Sequence, residues 1–211
     1  MRTQPPSEDQ ARSILSPHMP LLRDAIREAF DDLAVTLRKS PDTTGGLSTR
    51  TNRSFIHDRI AHRLFLAEVS GNHPGLRVRT VRGLKVVIIG DRLLLKLKRL
   101  DPRFRSRNIQ TEQTRAFDNQ VPLPVAGGDA LSHATGGYVL DPAGAEPMHV
   151  VVTCWSGRQN LWTLDLDKET AAPLIEFTAI TPPKERIPAE HAQVRGTGET
   201  AKPAIPVAPS E

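Results

Sequence analysis

Apolar positions recur along the first third of the chain with helical spacing. Leu22, Ile26, Phe30, Leu33 and Leu37 follow one another at intervals of four, four, three and four residues, which predicts an amphipathic helix over about 20–39. The preceding SPHMP, residues 16–20, supplies cap and first-turn chemistry. A second stripe, Ile56, Ile60 and Leu64 broadened by Ala61 and Phe65, predicts a helix over about 52–69 that Gly71 and Pro74 end. The intervening SPDTTGGLSTR reads as a loop. Residues 1–15 are largely polar and are expected to be disordered.

The period then changes from helical to two. In LRVRTVR, Leu76, Val78 and Thr80 alternate with Arg77 and Arg79. LKVVIIG is a continuous apolar run, the pattern of a strand buried on both faces. Gly90-Asp91 places Gly first in a short hairpin, as a type II′ turn prefers. RLLLKLKRL puts Leu93, Leu95 and Leu97 on one face, with Arg92, Leu94, Lys96 and Lys98 on the other. A three-strand antiparallel meander follows from this pattern. A third helix is expected within 103–119, starting as late as Asn108 or Thr111. A long loop over 119–137 comes next, then three short strands, YVLD, HVVVTCW and LWTLDL. From about Thr178 the chain is rich in Pro, charge and small residues, and disorder is expected.

Helices first, then a meander, a helix and further strands make an α+β fold. The expected architecture is a mostly antiparallel sheet of about six strands with helices packed on one face, preceded by the N-terminal amphipathic helix. The domain division is a disordered 1–19, a helix and linker over 20–48, an α+β domain over 49–177 and a disordered 178–211.

Composition narrows this picture. Only 4% of residues are aromatic, so the core must be aliphatic. The single cysteine, Cys154, excludes an internal disulfide and a cysteine-rich zinc site. Its place on a strand predicts a buried thiol. No apolar run approaches the roughly 18 residues of a membrane span, and the polar N-terminus lacks a secretion signal. The expectation is a cytoplasmic chain with no membrane association.

Charge changes the picture more. The formal net charge is +4, yet residues 77–115 hold twelve Lys or Arg against three acids, which leaves the rest of the chain at −5. A basic block of this kind suits a polyanion or an acidic protein surface. Arg77, Arg79, Lys96, Lys98, Arg103, Arg105, Arg107 and Asn108 are the candidate binding residues, gathered on one strand–helix face. Arginine forks fit phosphate oxygens. The plain alternative is a solvated sheet face whose lysines discourage edge pairing. The block itself has no Trp or Tyr, so base stacking has few platforms. Ser106, Asn108 and Thr111 can cap the third helix, and Asn108 can also face outward beside the lysines.

Catalytic signals are weak. The order αβββαβ over the second helix to the fourth strand resembles the restriction-endonuclease-like PD-(D/E)xK core. That core needs an Asp on the second strand and an acid two residues before a Lys on the third, to hold Mg²⁺ and activate water. Leu94 and Lys96 occupy the acid positions here, so the motif fails at the metal ligands. Asp58, Asp91, Asp101, Glu112 and Asp141 are the carboxylates that would have to converge instead. In FIHDRIAHR, Asp58 and His62 are four apart and can pair. His57 and His62 are roughly 140° apart around the helix and do not form a metal pair. No phosphate loop, nucleophile elbow or metal cluster is present, and no cofactor or reaction follows from the sequence.

Three segments, TRTNRSFIHDRIAHR, LKLKRLDPRFRSRNIQTEQTRAFDNQVPLP and GYVLDPAG, together resemble a family of small bacterial proteins. Its members are commonly encoded beside a helix-turn-helix protein with an ImmA/IrrE-like metallopeptidase domain, in pairs that look like toxin–antitoxin or phage-defence modules. The resemblance covers roughly residues 49–165 and carries no agreed catalytic residues. It implies a partner protein and a regulatory or toxic role. The leading expectation is therefore a component of a two-gene stress or defence module whose basic face binds nucleic acid or an acidic partner. A divergent Mg²⁺-dependent nuclease and a plain protein-interaction module are the alternatives.

Overall fold

The computed structural model describes residues 4–41, 47–81, 83–106, 111–123 and 131–169. Arg82, Arg107, Asn108 and the Pro-rich tail expected over 178–211 lie outside the described residues.

The N-terminal segment departs from expectation. Glu8–Leu15 forms helix α1, and Ala11 and Leu15 are fully buried. Ser7 accepts the N–H of Gln10 while the Gln10 side chain accepts the N–H of Ser7, a reciprocal capping box. The signal was in the sequence: Ser7-x-x-Gln10 followed by Ala11, Ile14 and Leu15 at helical spacing. A single 3₁₀ turn, Ser16–His18, joins α1 to helix α2, Met19–Lys39, whose Pro20 sits in the first turn where no intrahelical donor is lost. Helix α3, Thr49–Ser70, is capped by the Ser48 side chain and closed by Gly71 at φ 72°. Both long helices fall where the apolar stripes place them.

Six strands follow: β1 Leu76–Val81, β2 Leu84–Ile89, β3 Leu93–Arg99, β4 Ser132–Leu140, β5 Pro147–Ser156 and β6 Gln159–Asp165. They lie in sequence order in one sheet, antiparallel throughout except that β3 and β4 run parallel. The crossover between that pair contains the short helix α4, Glu112–Asp118, capped by the Thr111 side chain. A last turn of helix, α5, covers Leu166–Glu169. The α+β class and the mostly antiparallel six-strand sheet agree with the sequence reading.

The main core lies between one sheet face and α1, α2 and α3. Leu93, Leu95, Leu97, Val150, Val152 and Trp162 meet Leu15, Leu22, Ile26, Ile60 and Leu64 there. On the opposite face α4 presses Phe117 against Val86, Ile88 and Leu94. The 101–106 turn sets Phe104 beside Leu100, Val139 and Val151. Thus the long helices share one face, and α4 closes part of the other.

Two local expectations change. The hairpin after β2 has positive φ at both Gly90 (59°) and Asp91 (51°), a type I′ pattern rather than II′. The loop expected over 119–137 ends early, because Ser132 already opens β4. SHATGG has weak strand propensity, but close approach requires it. A Cβ on Gly136 would meet Leu97 at 3.3 Å, and one on Gly137 would lie 2.1 Å from the Lys98 carbonyl oxygen. Glycine inside a strand marks such contacts.

Gly137→Ala is therefore expected to cost about 3 kcal/mol or more, the upper range for overpacking a filled interior. Gly71→Ala, at positive φ but in open space, should cost only about 1 kcal/mol. Urea unfolding of the two variants tests the order. Equal losses would mean that β4 does not run against Lys98 in this register.

Candidate functional site

The structure distributes the candidate basic residues over several environments instead of one face. Arg77 pairs with Asp91 across the first hairpin. Arg79 turns around the sheet edge to Glu68 of α3, at 2.7 Å, and the same carboxylate accepts the N–H of Val78 at 2.7 Å. Arg103 is exposed, and Arg105 lies 4.5 Å over the Trp155 ring. Arg107 and Asn108 lie outside the described residues.

Lys96 is the sharpest correction. Sequence alternation places it on a wet face, yet it is only 3% exposed. Helix α4 covers it: its ammonium sits 4.2 Å from the Phe117 ring centroid and 2.8 Å from the Asp118 carboxylate. Burial pushes its pKa below the usual lysine value, and Asp118 offsets part of that shift.

Lys98 has a different position. The last β2–β3 pair is Val86 with Lys96, while β3 continues beside β4 as far as Arg99 opposite Tyr138. The sheet therefore forks at Lys98. On the helix side the fork opens into a cleft of about 680 Å³. Arg50, Arg53, His57 and Asp58 line it from α3, with Lys98, Arg99 and Tyr138 from the strands. On the other side a cleft of about 250 Å³ is lined by Lys96, Lys98, Gln113 and Thr114. Lys98 borders both.

The groups at the fork favour an anion. The Nε of Arg99 is buried with no acceptor, and so is the amide nitrogen of Gln113 in the smaller cleft. Among the described residues Asp58 is the only carboxylate lining either cleft. It is held by Lys85 at 2.7 Å, which lowers its pKa. That contact replaces the expected Asp58–His62 pair, because β2 brings an ammonium to the carboxylate; the nearest histidine nitrogen is Nδ1 of His57, at 3.8 Å. Burial lowers the pKa of His57, and Lys98 lowers it further. Burial raises the Tyr138 pKa, which Arg99 and Arg53 partly offset. Four cations with bound counter-charge on only one neighbour make a ready seat for phosphate or carboxylate oxygens.

Among the described residues no three His, Cys, Asp or Glu side chains gather. Of the carboxylates that would have had to converge, Asp91 serves Arg77, Asp101 accepts the N–H groups of Arg103 and Arg105, and Asp141 accepts those of Ala145 and Glu146. Cys154 is fully buried, donates to the His133 carbonyl at 3.4 Å, and has its pKa pushed up to about 12 by burial. It is a core thiol, as its strand position implied.

Arg50 and Arg53 were not singled out in the sequence. They sit in the first turns of α3, outside the basic block, and only the packing of α3 beside the fork brings them to Lys98. No family model, no curated protein and no solved structure matches the chain.

The Lys96–Asp118 pair yields a test with a definite sign. Burial lowers the folded-state pKa of Lys96, so between that value and the unfolded one the unfolded chain binds more protons, and stability rises with pH. Asp118→Asn leaves the buried ammonium uncompensated and is expected to cost about 2–3 kcal/mol at pH 7, discounted for the partial exposure of Asp118. That deficit should shrink as the pH is raised toward 9.5. Lys96→Met should stay within about 1 kcal/mol of the parent protein. Urea unfolding at several pH values measures both; a deficit in Asp118→Asn that ignores pH would contradict a buried, charged Lys96.

Proposed function

We propose that this chain binds the phosphodiester backbone of nucleic acid at the β2–β3 fork without cleaving it, as one component of a two-gene bacterial stress or defence module. The observation that carries the reading is the charge at the fork. The strand order is that of an αβββαβ nuclease core, with β4 parallel to β3. Two residues before Lys98, where such a core needs an acid, stands Lys96. The rim bears Arg50, Arg53 and Arg99, and Asp58, the one acid among the described lining residues, is engaged by Lys85. A site of this composition attracts phosphate and repels the cation that hydrolysis requires. The module assignment draws on the family-like segments and has its own readout, co-purification with the product of a neighbouring gene.

A second reading, a Mg²⁺-dependent nuclease, draws on the same strand order. It needs at least two carboxylates at the fork, where Asp58 is the one among the described residues.

Binding of labelled DNA and RNA across a salt series, with and without Mg²⁺, tests these readings. The expected result is binding whose log affinity falls linearly with log salt, and intact nucleic acid in Mg²⁺. Replacing both exposed rim arginines, Arg50→Glu with Arg53→Glu, should weaken binding at least tenfold. It should also reduce the salt slope by about two, close to one per lost phosphate contact. Parent-like binding by this variant would remove the fork from the interface. Mg²⁺-dependent cleavage would replace the binding reading with the nuclease. No binding at low salt would leave an acidic protein partner as the ligand of the cleft.

A further inference from the structure

A second cleft, about 670 Å³, lies on the sheet face that α4 partly covers. It opens between the 101–106 turn, the C-terminal end of α4 and the β5–β6 hairpin, and none of its lining residues borders the fork. Its wall contains Trp155 with the Arg105 guanidinium stacked over the ring at 4.5 Å. Trp155 is partly exposed, whereas Trp162, the other tryptophan of the chain, is 4% exposed and donates to the Pro6 carbonyl.

Trp155 is held unusually firmly for a partly exposed side chain. Its indole N–H donates to the Phe104 carbonyl at 3.2 Å, and its own carbonyl accepts from the buried Gln120 side chain at 3.0 Å. Phe104 and Gln120 have φ of 60° and 58°, two of only three non-glycine residues with positive φ among those described. Such a backbone conformation is unfavourable and persists only where surrounding contacts demand it. Here both converge on one tryptophan. Arg105 is fixed as well, because its backbone N–H donates to the Asp101 carboxylate at 2.9 Å. A rigid, half-open aromatic–guanidinium stack is a surface on which a flat base packs with little ordering cost. Exposed Arg158 lies on the rim for a phosphate, and Asn119 and Thr135 bring amide and hydroxyl groups to the wall for a base edge.

We infer that this cleft seats one unpaired nucleotide, its base against the Trp155–Arg105 stack and its phosphate at Arg158. Naming a nucleotide rests on the nucleic-acid reading of the fork; the geometry of the seat is separate from it. A base held here must leave its duplex, so the chain prefers single-stranded nucleic acid or a frayed end.

The two tryptophans make the test direct. The full chain is titrated with AMP, adenosine and a short single-stranded oligonucleotide while tryptophan fluorescence is followed. AMP is expected to quench the Trp155 share of the emission. Trp155→Phe should abolish the quench and leave the Trp162 signal. Arg158→Glu, an exposed change that leaves the stack in place, should weaken AMP at least tenfold while adenosine quenches as before. The Arg50→Glu, Arg53→Glu variant should retain the AMP quench. A quench that survives in Trp155→Phe, or the absence of any AMP quench in the parent protein while the oligonucleotide still binds, would overturn the seat and leave the fork reading intact. An AMP quench with no oligonucleotide binding at the fork would keep the seat and remove the fork.

Discussion

At Gly137 the chain runs so close to β3 that a single added carbon would sit 2.1 Å from the Lys98 carbonyl oxygen. This contact sits in the parallel β3–β4 pair, which joins two antiparallel three-strand units, β1–β3 and β4–β6, into one sheet. Much else depends on that join. A parallel neighbour needs a crossover connection, and the crossover carries α4 over the second face. Helix α4 then buries Lys96 and supplies Asp118 to compensate it. Because β3 follows β4 beyond the point where β2 leaves, the fork opens at Lys98.

The same topology explains why a block of twelve cations does not make a uniformly basic face. Helix α3 brings Glu68 to the edge of β1 and Asp58 to Lys85, and the first hairpin brings Asp91 to Arg77. The acids that neutralise the block come mostly from elements outside it. Exposed ion pairs contribute little to stability, but they decide where uncompensated charge remains. Among the described residues Lys98 and Arg99 make no ion pair, and α3 adds two arginines beside them while its one acid there, Asp58, is engaged by Lys85.

The two clefts divide the chemistry of a nucleic-acid ligand in physical terms. The fork is cationic, and the aromatic rings lining it among the described residues are buried Tyr138 and Phe117 and half-buried His57. It suits a backbone. The Trp155 cleft sets two carboxylates, Asp101 and Asp118, beside its arginines, and it has a fixed stacking surface. It suits a base. The basic block by itself offers few aromatic platforms, because Trp155 lies fifty residues downstream of Arg105.

Local patterns in the sequence determined the two long helices, the three meander strands, the α+β class and the burial of Cys154. These follow from periodicity, caps and turn residues, which act over a few positions. The capping box at Ser7 was equally legible but was outweighed by the polarity around it. Tertiary structure alone decided that SHATGG is a strand, that Lys96 is buried, that Asp118 is its partner, and that Arg50, Arg53 and Trp155 stand at clefts. Each of these depends on a contact between segments far apart in the chain. Alternation along a strand assigns residues to faces, but it cannot say which face a later helix will cover.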